Sequence, residues 1–404
     1  MKKKYFYGYN IVAAGAMTQA VCIGAMFTFG VFFKEFQASF GWSRALVSGA
    51  SSLAFFVMGA GGILAGILND RIGPRLILTV SGISMGSGYI LMSRLNTPWQ
   101  LYLLYGFIVG IGLSTHDVLT LSAVARWFVK RRGMMSGIVK VGTGFGQLVV
   151  PMIATALIAA FGWRSAYLVI GVSVLAGLVA AARFMKRDPE SLGLEPDGGV
   201  NGFDTTLSSQ TGSNLSLSEA SRTMPFWILC AAEFTIFFCL LTIVVHIVPF
   251  GRDQGLSPGT AAGVLSTFGG VSMIGRFTMG AVIDRIGGKR SLMVCFIILL
   301  ASLLWLQVSS EAWMLYGFAL FYGFSHGGFF TVMSPTVAEL FGTVSHGTLF
   351  GLILFCGTIG GSVGPLLTGY LFDLTDSYRL AFFILIALAS VGFALIAFLK
   401  SPAG

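Results

Sequence analysis

The chain has 404 residues, 55% of them hydrophobic and only 10% charged. Soluble domains carry about a quarter charged residues, so this composition excludes one and points to a membrane protein. The net charge of +9 sits in alternate loops, which reads as a loop bias rather than an affinity for nucleic acid.

The chain opens on Met1, Lys2, Lys3 and Lys4 and passes directly into an apolar stretch too long for a signal-peptide core and without a cleavage site. Apolar stretches of roughly 20 residues or more then predict twelve spans. They lie near 7–33, 44–68, 75–94, 98–125, 133–160, 164–183, 224–250, 258–283, 290–309, 312–340, 346–372 and 379–399. Six tryptophans (Trp42, Trp99, Trp127, Trp163, Trp227, Trp313) fall near span ends, where aromatic belts form, with Trp305 the exception. Cys22, Cys230, Cys239, Cys295 and Cys356 all fall inside spans without metal-ligand spacing, so they read as packing residues and imply neither disulfide nor metal. No cofactor is expected.

Lys and Arg favour one set of alternate loops roughly three to one, which places both termini in the cytoplasm of a cell-membrane protein. That set includes Arg71, Arg75, Arg126, Lys130, Arg131, Arg132, Arg285 and Lys289. Only Lys140 and Arg276 among the cations fall at membrane depth, where a charge is costly and marks a functional site. The span that follows Arg132 carries Ser136, Lys140, Thr143 and Gln147 on one helical face. Its glycines Gly133, Gly137, Gly144 and Gly146 allow close backbone approach.

The one long polar segment, residues 188–222, is rich in Ser, Gly, Asp and Glu and reads as a cytoplasmic linker, with Leu215 to Arg222 as a short surface helix. It divides the chain into residues 1–187 and 223–404, which repeat each other at an offset of 214 residues. Gly41-Trp42-Ser43 answers Gly255-Leu256-Ser257, and Asp70-Arg71-Ile72-Gly73 answers Asp284-Arg285-Ile286-Gly287. Gly133, Gly137, Gly146 and Pro151 answer Gly347, Gly351, Gly360 and Pro365. The expectation is an all-α membrane fold of two parallel six-helix halves. Carriers of this build bind substrate near the midplane, at the interface of the halves, and alternate access by rocking.

Gly66 to Arg75, echoed by Gly280 to Lys289, resembles the loop motif of the major facilitator superfamily. Phe128 to Gly137 is similar to the fifth-span motif of its monocarboxylate transporters. Tyr7-Gly8-Tyr9 resembles their first-span entry, and Arg276 stands at their eighth-span arginine. This resemblance covers nearly the whole chain. It implies proton-linked symport of acids such as lactate or pyruvate, with oxalate–formate exchange as the alternative. The expected partners are a small carboxylate, protons and the bilayer, for a carrier working as a monomer. Where several family members place an aspartate one turn before the arginine, this chain has Ser272, and Phe27 stands where some carry a lysine.

Counting along the helices puts Lys140, Arg276, Asp117 and Glu233 ~12 to ~16 Å from their cytoplasmic ends, near the middle of the bilayer. The guanidinium of Arg276 offers a planar fork for a carboxylate; the alternative is a permanent ion pair with Asp117 or Glu233. Lys140 is either a second anion contact or the partner of Asp117. Asp117 and Glu233 are proton carriers only if burial favours their neutral form, and an acid held by Lys140 stays ionised. His116, His246 and His326 also lie in spans; a membrane histidine is either a titrating group or an interhelical hydrogen bond. The substrate set is therefore Arg276, Lys140, His246, Thr143, Ser272 and His326, and the proton set Asp117, Glu233 and His116. Gln19 and Glu233 occupy equivalent positions in the repeat. Resemblance implies a gating set of Asp70, Arg71, Asp284, Arg285 and Arg131, with Asp70 latching onto the start of span eleven and Asp284 onto Arg131 to Gly133. His-Glu-x-x-His does not occur, and an enzyme is not expected.

Overall fold

The structure, a computed structural model, describes residues 6–198 and 214–400. Among them it builds twelve long helices and no strand. These are α1 Gly8–Phe40, α2 Arg44–Ile72, α3 Pro74–Met92 and α4 Pro98–Trp127; a continuous helical stretch Arg132–Phe184, divided at Gly162 into α5 (132–161) and α6 (163–184); then α7 Met224–Asp253, α8 Pro258–Ile286, α9 Gly288–Gln307, α10 Ala312–Phe341, α11 His346–Thr375 and α12 Arg379–Ala397. Nine of these stretches, the double one included, are long and apolar enough to cross a membrane.

The repeat has a conformational basis. Gly41 (φ 67°) and Gly255 (φ 84°) turn the chain through the left-handed region, and Gly73 (φ 82°) and Gly287 (φ 80°) do the same between α2 and α3 and between α8 and α9. A side chain at any of them is strained, so the same residue recurs. Ser43 and Ser257 cap α2 and α8 by accepting from Leu46 N–H (3.2 Å) and Thr260 N–H (3.1 Å), which satisfies donors that a helix start leaves open.

Several boundaries differ from those expected. α1 runs on to Phe40, and the linker helix shortens to one turn, Leu217–Ala220, capped reciprocally by Ser216 and Glu219. Its hydrogen bonds with Ser216 hold the exposed Glu219 carboxyl below its ordinary range. Residues 199–213 of the linker lie outside the described residues. Trp305 is no exception to the aromatic rule. α9 ends at Gln307, so Trp305 stands at its end, 6.0 Å from the Trp313 ring.

The chain divides into two compact units. The first comprises the chain up to Lys130, from Ile138 into the linker, and Ser345–Gly351. The second comprises Arg131–Gly137, from the linker to Val344, and from Leu352 onward. The start of α11 thus belongs to the first unit and the start of α5 to the second. Backbone contact is close at glycines in both. A Cβ at Gly142 would lie 2.2 Å from the Ala16 carbonyl in the first unit, and one at Gly327 2.0 Å from the Ser272 carbonyl in the second. Membrane helices use such small residues to pack, because lipid supplies no hydrophobic drive between them.

Candidate functional site

α4 is an irregular helix, and its irregularity positions the first cluster. After one α-helical turn it widens into π-helical turns at Tyr102–Val109, returns to α over Gly110–Leu113, and breaks at Ser114 and Thr115 before resuming at His116. Such widened turns recur at functional sites. The break exposes backbone carbonyls, and side chains satisfy them: Ser81 Oγ donates to Gly112, and His116 Nδ1 lies 2.6 Å from the Leu113 carbonyl. Asp117 is then in the first turn of the resumed helix, where the helix dipole favours an anion.

Asp117 has three neighbours of consequence. The Lys140 ammonium of α5 donates to Oδ1, as does Gln19 Nε2 of α1 (2.7 Å). His116 Nε2 lies 3.5 Å from Oδ2. Gln19 is itself oriented, donating also to Thr120 Oγ1 (3.1 Å) and accepting from Thr143 Oγ1 (2.9 Å). Gln19 and Thr120 are fully buried, and Lys140 is 3% exposed. In this structure Lys140 is the partner of Asp117. Thr143 touches Gln19, one step removed from the ion pair.

Arg276 of α8, 2% exposed, lies one turn after Ser272, whose Oγ is 3.1 Å from His326 Nδ1 of α10. The imidazole of His326 meets the Phe268 ring edge-to-face at 4.7 Å. These three expected substrate residues therefore form one cluster in the second unit. Gly137 and Gly327 seat this part of α8 by allowing close approach to the backbone of Arg276. Glu233, 3% exposed on α7, packs against α11 at Gly357, where a Cβ would meet its Cγ at 2.9 Å. His246 lies elsewhere. Its ring nitrogens sit 3.3 Å from the Tyr378 hydroxyl and 3.0 Å from the Pro365 carbonyl, the geometry of an interhelical hydrogen bond.

The aspartates of the two loop motifs cap helices within their units. Asp70 accepts from the backbone N–H groups of Gly347 (3.1 Å) and Thr348 (2.8 Å), from the Thr348 hydroxyl (2.8 Å) and from Arg126 Nη2 (2.6 Å). Asp284 accepts from the N–H groups of Gly133 (2.6 Å) and Met134 (2.9 Å). Carboxylates at helix N-termini satisfy open donors and complement the dipole. Arg71, Arg285 and Arg131 are exposed. Sequence reasoning missed Arg126 as the cation on Asp70, and Ser122, whose Oγ lies 3.0 Å from Nδ1 of the buried His346. It also missed that Gln19 holds Asp117; the repeat partner of Gln19, Glu233, was the available signal.

The sequence profile of the Major Facilitator Superfamily matches residues 15–277 and again 242–404. This chain belongs to that superfamily. It is a multi-pass membrane transporter and not an enzyme. The transporter resembles the monocarboxylate branch. Monocarboxylate transporter 13 of Rattus norvegicus is 28% identical over 388 residues, spanning 94% of this chain and 85% of the relative. Monocarboxylate transporter 2 of Homo sapiens is 26% identical, over 92% of this chain and 81% of its own. Among solved structures, the proton:xylose symporter XylE overlays with a TM-score of 0.77 at 14% identity. That overlay covers 98% of this chain and 97% of the other, and concerns the fold alone.

Proposed function

We propose that this transporter carries a small monocarboxylate, such as lactate or pyruvate, together with one proton across the cell membrane, with both termini cytoplasmic. The observation that carries the reading is the buried ion pair of Lys140 and Asp117, with His116 beside it.

Burying an extra anion alone is expensive, so a carboxylate entering a compensated site needs a balancing charge. In this account Arg276 anchors the substrate through its planar fork. The Lys140 ammonium stays with Asp117 until that carboxylate is neutralised. A proton takes the place of Lys140, held on Asp117 or on His116 Nε2. The Leu113 carbonyl engages the other ring nitrogen of His116, so a proton on Nε2 points toward Asp117. The two groups titrate as one site. Substrate and proton thereby favour each other's binding by equal factors. Glu233 is the second candidate carrier, at the position that Gln19 holds in the first half.

Anion exchange of the oxalate–formate type is the alternative, and Ser272 in the place of an eighth-span aspartate favours it. A pH-jump uptake panel of lactate, pyruvate, formate and oxalate in proteoliposomes separates the two. Symport predicts lactate accumulation driven by external acid with no internal anion. Uptake that ignores the pH gradient and needs internal oxalate or formate identifies an exchanger.

A further inference from the structure

The described ends of the linker occupy equivalent places in the two halves. Asp197 Oδ2 accepts from the backbone N–H groups of Val129 (3.0 Å) and Lys130 (2.8 Å) in the loop that enters α5. Asn214 Oδ1 accepts from the backbone N–H of Thr343 (3.3 Å) in the loop that enters α11, and Leu215 N–H donates to the Phe341 carbonyl (3.1 Å). Val129 and Thr343 are related by the repeat offset of 214. Four residues beyond Val129 lies Gly133, the first donor to Asp284; four beyond Thr343 lies Gly347, the first donor to Asp70.

Both contacts are built into the local backbone. Asp197 adopts φ 57°, a left-handed conformation that Asp and Asn accept more readily than most residues. Gly342 adopts φ 79°, and a Cβ there would lie 2.3 Å from Asn214 Oδ1. Glycine at this position therefore serves both the turn and the seat of the linker amide.

We propose that Asp197 and Asn214 are positioning residues of the transport cycle. By fixing the loops ahead of α5 and α11, they hold the first N–H groups of those helices at Asp284 and Asp70. The two described ends of the linker thus set the strength of both caps. This inference rests on reading the two aspartates as gating latches. Because each acceptor is needed for its oxygen rather than its charge, Asp and Asn are interchangeable at either end.

The test is site-resolved hydrogen exchange on the full-length protein in nanodiscs. Asp197→Gly accepts the left-handed conformation but lacks the acceptor; Asp197→Asn keeps both. The glycine variant is expected to exchange faster by roughly fivefold, the size of one lost hydrogen bond, at Val129 and Lys130 and also at Gly133 and Met134. The asparagine variant is expected to restore slow exchange. Asn214→Ala and Asn214→Asp give an independent pair at the other end, read at Thr343, Gly347 and Thr348. Faster exchange confined to Val129, Lys130 and Thr343, with the capping amides unchanged, overturns the proposal. Asp284→Asn tells the two ideas apart. If it frees Gly133 and Met134 without altering transport, the latch reading fails and the role in the transport cycle with it, while the effect of Asp197 and Asn214 on the caps stands.

Discussion

The Lys140 ammonium donates to the Asp117 carboxylate inside the first unit, and Gln19 holds the same oxygen from a third helix. Breaking a buried pair by removing one partner leaves an uncompensated charge, at a cost of ~3–5 kcal/mol. Lys140→Met is therefore expected to lower the melting temperature in detergent. Lys140→Met combined with Asp117→Asn should recover most of that stability, because neither charge remains. Both variants should lose transport. Equal destabilisation in the single and double variants would show that the pair is not a coupled unit.

Arg276 offers a sharper test of substrate binding. Arg276→Lys keeps the charge but loses the bidentate fork. The expected outcome is normal folding with substrate affinity reduced at least about tenfold, the weight of one charge-assisted hydrogen bond. Near-normal affinity in that variant assigns Arg276 a structural role.

The Asp70 contacts predict an effect on conformational balance rather than on the binding site. Asp70→Asn weakens a helix-terminus interaction worth ~0.3–1 kcal/mol, or up to ~2 kcal/mol when partly buried. Exchange of the Gly347 and Thr348 amides should quicken, and the maximal transport rate should change more than substrate affinity, since a small bias moves a nearly balanced equilibrium. Unchanged exchange would mean that Thr348 and Arg126 do not depend on the charge of Asp70.

Much of the fold was legible because the repeat fixes it in side chains. Gly41, Gly73 and Ser43 each have a partner 214 residues on, and each is demanded by a turn or a cap. Lys140 and Arg276 were legible as charges inside spans, because their neighbours in the sequence are apolar. What spacing along one helix cannot give is partnership between helices, so the sequence alone leaves Lys140 with two readings. The π-helical turns at Tyr102–Val109 left no mark, since YLLYGFIV is as apolar as any regular span. The linker contacts were equally silent. They join a side-chain oxygen to backbone N–H groups, and any residue at Val129 or Thr343 except proline supplies the same donor.

His116 carries the pH dependence in this account. Its Nδ1 is engaged by Leu113, which leaves Nε2 toward Asp117 as the site that gains a proton. His116→Gln is expected to flatten the response of uptake to an imposed pH gradient while preserving exchange of labelled for unlabelled substrate. A variant with an unaltered pH response would move the proton to Asp117 alone or to Glu233.

The most direct test records substrate and proton movement together in proteoliposomes whose membrane potential is clamped with potassium and valinomycin. Lactate entry is predicted to carry protons inward in equal number, seen as acidification by a trapped pH dye, at a rate that does not change with the clamped potential. Lactate entry without acidification, or a rate that follows the potential, would contradict electroneutral coupling through the Lys140–Asp117 site.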